Sequence, residues 1–358
     1  MPKKKTSVLG VNQSELLDLK TKLIRRKFVS EMLDTRIELN QEFQVLSQYL
    51  SYVYDPKAVE QPVRVYPHFL PTQSSGRWST TNPPLPNFPP DIRDVFIPDA
   101  GMVWVGWDLD AIEAKIVAAF SHDKDDLKAF NESLDIHTLA ACKMIGLELP
   151  PDLKDPHASE VAKEWRERHK WGGKDDRRRL LAKVRYCLLY GRDHTAVGGS
   201  KYERDMVLQG FKKEDLTKAA QLFLRSKPNL VATKKRYWDE FAKSGRSYTI
   251  FGRRRMLFGE YWSKAKEGFN HMVQGSVTDM TNTAIIELCH PDDGLGYLFV
   301  SQAYDGAKVA IPEDKLDEEV IGNFKRAVEK PYEISGEKIV STATWGIYYH
   351  DGRKEHLS

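Results

Sequence analysis

Met102-Val103-Trp104-Val105-Gly106-Trp107 is an apolar run that stops at Asp108. A run this short, bounded by turn-forming residues, predicts a buried strand over Met102 to Asp108. The period then changes. Ile112, Ile116, Ala119 and Phe120 make one helical stripe, so a helix is predicted from near Asp110. Asp110 and Glu113 have capping-box spacing, with Asp in place of Ser or Thr. Upstream, residues 13 to 54 carry Leu16, Leu17, Leu19, Leu23, Ile24, Phe28, Met32 and Leu33 at mixed helical spacing. Pro56 to Pro71 is extended, and the five prolines of Gly76 to Pro90 predict a loop. Downstream, helices are predicted over residues 124 to 145, Arg177 to Tyr190, Lys213 to Lys243 with a break near Pro228, and Lys264 to Leu288. Pro150 to Asp176 is polar, with a turn at Gly172-Gly173. Ser247 to Phe258 reads as a strand and turn around Gly252-Arg253-Arg254-Arg255. Tyr297 to Ile311 reads as a hairpin with Asp305-Gly306 as its two-residue turn. There is no internal repeat.

The chain of 358 residues has room for two or three subdomains. Its 41% hydrophobic and 29% charged residues are those of a soluble globular protein, and a net charge of +3 announces no polyanion partner. The distribution of charge says more: Lys163 to Arg192 holds eleven Lys/Arg against four Asp/Glu. Taken alone such a block is a solvated helix face; in company it is a phosphate or nucleic-acid footprint. Cys142, Cys187 and Cys289 are too few and too scattered for a disulfide framework or a zinc site, so a reducing compartment is expected. No apolar run reaches membrane-spanning length, and no membrane partner is expected.

Two aspartates at strand ends, Asp108 and Asp305, fit a site for magnesium, which takes hard oxygen ligands and completes its shell with water and substrate phosphates. Separately, Asp108 with Asp110 also fits a strand-to-helix cap, and Asp305 a turn former. On the basic helix, Arg179, Lys183, Tyr186 and Tyr190 lie at i, i+4, i+7 and i+11 and share one face. Two cations followed by two aromatics suit a nucleoside triphosphate lying along the helix. A helix packed through Leu180, Leu181 and Leu188 is compatible with that.

Six blocks, in order, resemble family A DNA polymerases. Gly76-Arg77-Trp78-Ser79-Thr80 through Leu85-Pro86-Asn87-Phe88-Pro89 resembles the Gly-Arg loop before the palm. Asp108-Leu109-Asp110-Ala111-Ile112-Glu113 resembles motif A, and Asp135-Ile136-His137 a tripeptide of the fingers. Arg179 to Gly191 resembles motif B. Asn270-His271-Met272-Val273-Gln274-Gly275 and Gln302-Ala303-Tyr304-Asp305 resemble the last palm elements, including motif C. The resemblance implies an α+β right-hand fold with an antiparallel-sheet palm, helical fingers and a reduced or absent thumb, in a phage-type minimal or truncated form. It divides the chain into an N-terminal helical region (1–75), palm (76–122), fingers with an insertion (123–246, 150–176) and palm (247–358).

The resemblance also implies roles. Asp108 and Asp305 are the catalytic, metal-binding aspartates, with the Leu109 carbonyl as a further ligand for two Mg2+, Mn2+ substituting. Glu113 is the steric gate against a ribose 2′-hydroxyl. Arg179 and Lys183 hold the triphosphate beside His137, Tyr186 meets the sugar and Tyr190 borders the template base. Arg77, Lys266, Asn270, Gln274, Gln302 and Tyr304 touch DNA. The implied partners are primer-template DNA and dNTPs, in the cytoplasm of a bacterial or phage-infected cell. The reaction is two-metal nucleotidyl transfer to a primer 3′-OH.

Departures from the family pattern qualify this. The spacing from Lys183 to Tyr186 is one residue short; if the aromatics set the register, Arg178 takes the arginine position and Ala182 the lysine position. Motif C ends Tyr304-Asp305-Gly306 in place of His-Asp-Glu, and Asp110 adds an acid in motif A. Only about 75 residues precede Gly76, so no proofreading exonuclease is expected in this chain, and a partner supplying thumb, clamp or exonuclease is. Two other functions remain open: a non-catalytic DNA-binding subunit of the same fold, and an Asp-x-Asp nucleotide-sugar transferase using Asp108 and Asp110.

Overall fold

The computed structural model describes residues 27–45, 64–71, 73, 75–88, 93, 95–153, 160–169, 177–190, 213–292 and 294–357. Among these the helices are α1 (Lys27–Val45), α2 (Ile112–Ser121), α3 (Lys124–Asn131), α4 (Ile136–Ile145), α5 (Glu160–Arg168), α6 (Arg177–Leu189), α7 (Lys213–Arg225), α8 (Pro228–Ser244), α9 (Tyr261–Asn270), α10 (Ser276–Cys289) and α11 (Glu318–Val328). The strands are β1 (His68–Leu70), β2 (Ser79–Thr81), β3 (Met102–Leu109), β4 (Arg246–Tyr248), β5 (Arg254–Met256), β6 (Leu298–Ala303), β7 (Gly306–Pro312), β8 (Pro331–Ile334), β9 (Glu337–Val340), β10 (Ala343–Tyr349) and β11 (Lys354–Leu357). The chain forms two compact units, residues 1–65 with 132–226, and 66–131 with 227–358.

The second unit is built on an antiparallel sheet of order β11-β10-β3-β7-β6. Its middle strand is the apolar run of the sequence. Val103, Val105, Trp107 and Leu109 are buried, and their register partners Val309, Ile311, Trp345 and Ile347 are buried with them. Burying each such side chain stabilises the unit by about 1.5–3 kcal/mol. Helix α10 packs on β6 and β7 and α11 packs on α10, bringing Phe324 edge-on to Trp345.

Four sequence expectations are corrected here. The hairpin turn is Tyr304-Asp305, one residue earlier than expected, and Gly306 already pairs with Asp108 in the sheet. A Cβ on Gly306 would lie 2.2 Å from the Trp107 carbonyl oxygen, so the glycine serves close strand approach. The capping box does not form: Ala111 precedes α2 in a left-handed conformation (φ 47°) with no side-chain cap. The helix expected over 124–145 is two helices. Ser133 has a positive φ, and Asp135 caps α4 by accepting from the His137 and Thr138 amides at 3.1 Å each. The helix expected over Lys264 to Leu288 runs from Tyr261 to Cys289 through a π turn at His271–Gly275. The break at Pro228 occurs where expected, with the proline in the first turn of α8.

In the first unit α4, α6 and α7 pack together around Ala141, Cys142, Trp165, Leu181 and Leu216. Of the helix expected over 13–54, the part outside Lys27–Val45 lies outside the described residues, as does the Gly172-Gly173 turn.

Candidate active site

Asp108 is the penultimate residue of the central strand, flanked in register by Gly306 and Thr344. Asp305 immediately precedes Gly306 in the hairpin turn. The two carboxyl groups, 197 positions apart in the chain, are therefore neighbours and hydrogen-bond one another. Burial, followed by the charge of Asp108, pushes the Asp305 carboxyl up to about 7, and the Arg77 guanidinium only partly offsets this. Asp108 is also raised, first by desolvation and also by Asp110. Its side chain is exposed by accessible area, yet protein packed beside the carboxyl still disfavours the charged form. Two like charges at one point resist joint ionisation, which raises both carboxyls above the usual carboxylate range.

Asp110 turns aside: it accepts from Thr344 Oγ1 at 2.8 Å, while its backbone amide donates to the Thr342 carbonyl at 2.8 Å. Glu113, in the first turn of α2, forms an ion pair with Arg77 through Oε1 and Nη2. The Arg77 guanidinium also sits 5.9 Å from the centroid of the Tyr304 ring. Arg77 thus links the gate residue expected from the sequence to the aspartate turn.

No local pattern in the sequence points to the contacts that fix the segment around Arg77. Gly76 has φ 82°, and a Cβ there would fall 2.5 Å from the Arg253 guanidinium. Arg253 donates from Nη2 to the carbonyls of Ser75 and Gly275, each at 3.1 Å, and from Nε to Asp279 at 2.7 Å. Thr249 donates to the other Asp279 oxygen at 2.7 Å. The Gly252-Arg253 turn was legible, but its pairing across 26 residues to Asp279 was not. Lys115 was also missed. It is buried in α2, donates to the Val340 carbonyl at 3.1 Å and Thr342 Oγ1 at 2.8 Å, and burial lowers its pKa.

The expected DNA contacts fall differently. Lys266 is exposed on α9, and Asn270 ends that helix half-buried, its Oδ1 without a partner among the described residues. Gln274 sits inside the π turn, so the i, i+4, i+8 stripe is not an uninterrupted α-helical face. Tyr304 is 56% exposed in a left-handed conformation. Gln302 is buried, in register with Ala307 and hence on the Trp107 side of the sheet, opposite Asp108. Neither end of its amide has a partner among the described residues.

In the first unit, Leu181, Val184, Leu188 and Leu189 of α6 are buried. The Tyr186 ring lies 5.5 Å from that of His137 on α4, so two of the expected nucleotide residues meet. Tyr190 continues the helix, its amide donating to the Tyr186 carbonyl at 3.0 Å. Arg178, Arg179 and Lys183 lie on α6; their side chains are outside the described residues.

Crowded hard carboxylate oxygens whose charges repel are a donor set that a divalent cation relieves, and magnesium needs only one or two carboxylates from protein. The adjacent carboxylates of Asp108 and Asp305 have the chemistry for such an ion. Among the described residues no group of three or more His, Cys, Asp or Glu is placed to hold one.

A family profile described as DNA polymerase family A matches residues 2–152. The thermostable DNA polymerase I of Thermus thermophilus is 26% identical over 286 residues, covering 76% of this chain and 31% of the relative. That of Thermus filiformis is 26% identical over 316 residues, covering 83% and 34%. DNA polymerase I of Streptococcus pneumoniae is 25% identical over 294 residues, covering 76% and 30%. The chain thus spans about a third of the length of these relatives. Among solved structures, the POL domain of Pol1 from M. smegmatis, in complex with DNA primer-template and dNTP, matches with a TM-score of 0.69 at 19% identity, over 97% of this chain and 57% of that one. That likeness establishes the mixed helix-and-sheet polymerase fold well beyond the residues the profile covers. Residues 2–152 thus match DNA polymerase family A, and the chain as a whole is similar to these polymerases in sequence and fold.

Proposed function

We propose that this chain is a DNA-directed DNA polymerase that adds dNTPs to the 3′-hydroxyl of a primer on template DNA. The observation that carries this is the Asp108–Asp305 pair at the tip of the sheet, with the Arg77–Glu113 ion pair beside it. Asp108 and Asp305, with the Leu109 carbonyl, hold Mg2+. Bound there, divalent cations supply the positive charge that activates the primer hydroxyl and stabilises the leaving pyrophosphate. Glu113 stands at the sugar 2′ position and excludes a ribose hydroxyl, oriented by Arg77. Arg179 and Lys183 bind triphosphate oxygens, with His137 and Tyr186 beside them. Lys266, Asn270 and Gln274 contact the duplex, where side-chain amides match the acceptors common to every base pair in the minor groove. No 3′-5′ exonuclease activity is proposed for this chain.

Gly306, where the family has a second acid, would favour a non-catalytic subunit if it marked decay of the site. The 2.2 Å approach of a Cβ to the Trp107 carbonyl gives it a packing reason instead, and both aspartates are retained. Primer extension with Mg2+ and four dNTPs tests the proposal: the chain should extend a primer, and Asp108→Asn and Asp305→Asn should not, while keeping duplex affinity. Equal extension by the variants would overturn it.

A further inference from the structure

The β4–β5 ribbon presents two faces of opposite character. The inner face is fixed to α9. Ser247 is fully buried and donates to the Gly268 carbonyl at 2.7 Å. Gly268 has no room for a side chain, since a Cβ there would lie 2.6 Å from Phe241. Leu257 is buried behind the ribbon, and its amide donates to the Gly245 carbonyl at 2.8 Å. Backbone and packing therefore hold the ribbon in one orientation.

The outer face is open. Arg246 pairs in register with Met256, and Tyr248 with Arg254, and all four side chains are exposed. Tyr248 is 47% and Met256 45% exposed; Phe258, two residues further along the same alternation, is 75% exposed. No carboxylate pairs with Arg246 or Arg254 among the described residues, whereas the half-buried Arg255 is matched to Glu267 at 2.7 Å. A guanidinium keeps its charge at any physiological pH and directs several donors at phosphate. A fixed strip of permanent cations alternating with apolar and aromatic faces is complementary to a chain of phosphates carrying unstacked bases. A folded protein partner would more commonly meet an apolar centre ringed by charge.

We propose that the outward face of this ribbon, Arg246, Tyr248, Arg254, Met256 and Phe258, docks single-stranded nucleic acid. The arginines take phosphates, and Tyr248 and Phe258 take base faces. The face uses none of the residues assigned to the aspartate site and goes beyond the proposed polymerase activity, so the two can fail independently.

The test is fluorescence anisotropy of a labelled oligothymidylate with the full chain at several salt concentrations. Arg246→Ala with Arg254→Ala should weaken binding and lower the slope of log affinity against log salt by about 1.4, from about 0.7 per lost single-strand phosphate contact. Tyr248→Ala should weaken binding by about five-fold or more, and Tyr248→Phe, which keeps the ring, should not. Lys315→Ala with Lys338→Ala, removing two exposed cations elsewhere, should leave the slope unchanged. Asp108→Asn should bind the strand normally, and the ribbon variants should still add one nucleotide to a saturating primer-template. Unchanged affinity and slope in the arginine double variant would overturn the proposal and leave this face to a protein partner. An equal loss in the Lys315/Lys338 control would also overturn it.

Discussion

Asp305→Asn should make the metal-free protein more stable at neutral pH while destroying its activity. In the folded chain the Asp305 carboxyl is raised from 3.8 to about 7, first by burial and then by Asp108. The folded state thus holds a proton that the unfolded state has released, and unfolding free energy falls as pH rises through that interval. The stabilisation is fully present below the unfolded value and lost above the folded one. At about 1.4 kcal/mol per unit, a rise of roughly three units sets a ceiling near 4 kcal/mol. Asp108 shares the shift and the Asn amide must find new partners, so a gain of about 1–3 kcal/mol at pH 8 is expected. Urea denaturation in EDTA at pH 5 and pH 8 reads this directly. The wild-type chain should lose stability between the two, and the variant should lose much less. Adding Mg2+ at pH 8 should restore the wild type and do little for the variant, because a ligand stabilises only the state that binds it. A variant no more stable than wild type at pH 8, with the same pH slope, would refute the account of the crowded pair.

Glu113→Ala should raise ribonucleotide incorporation relative to deoxyribonucleotide; an unchanged ratio in single-turnover assays would reduce the Arg77–Glu113 pair to a structural contact. Alanine at Arg179 or Lys183 should raise the dNTP KM or lower kcat far more than alanine at Arg178, and the opposite order would show that Tyr186 and Tyr190 set the helix register. Gly306→Ala should destabilise the chain by about 1–3 kcal/mol or more in chemical denaturation, since the new Cβ would sit 2.2 Å from the Trp107 carbonyl and the strands must part.

The central strand and the split at Pro228 were legible because alternating burial and proline placement are local properties. So was the placement of both aspartates beside strand ends, through the apolar runs that frame them. The exact turn was not. Asp305-Gly306 has the composition of a two-residue turn, but close packing against Trp107 draws Gly306 into the sheet, and Tyr304 takes the left-handed position instead. The capping box failed for a similar reason: Thr344 captures Asp110 and Arg77 captures Glu113. The knot of Arg253 with Asp279, Ser75 and Gly275 joins segments far apart in sequence, so no local period announces it. Short strands β8 to β11 gain their stability from partners more than from their own pattern, and no periodic run beyond Ile311 announces them.

The most direct test of the catalytic claim is extension of a 5′-labelled primer on a longer template, with Mg2+ and four dNTPs, by the wild type, Asp108→Asn and Asp305→Asn at matched DNA occupancy. The account predicts template-dependent products from the wild type alone, with all three proteins holding the duplex about equally. Products from either variant at the wild-type rate, or none from a folded, DNA-bound wild type, would contradict it.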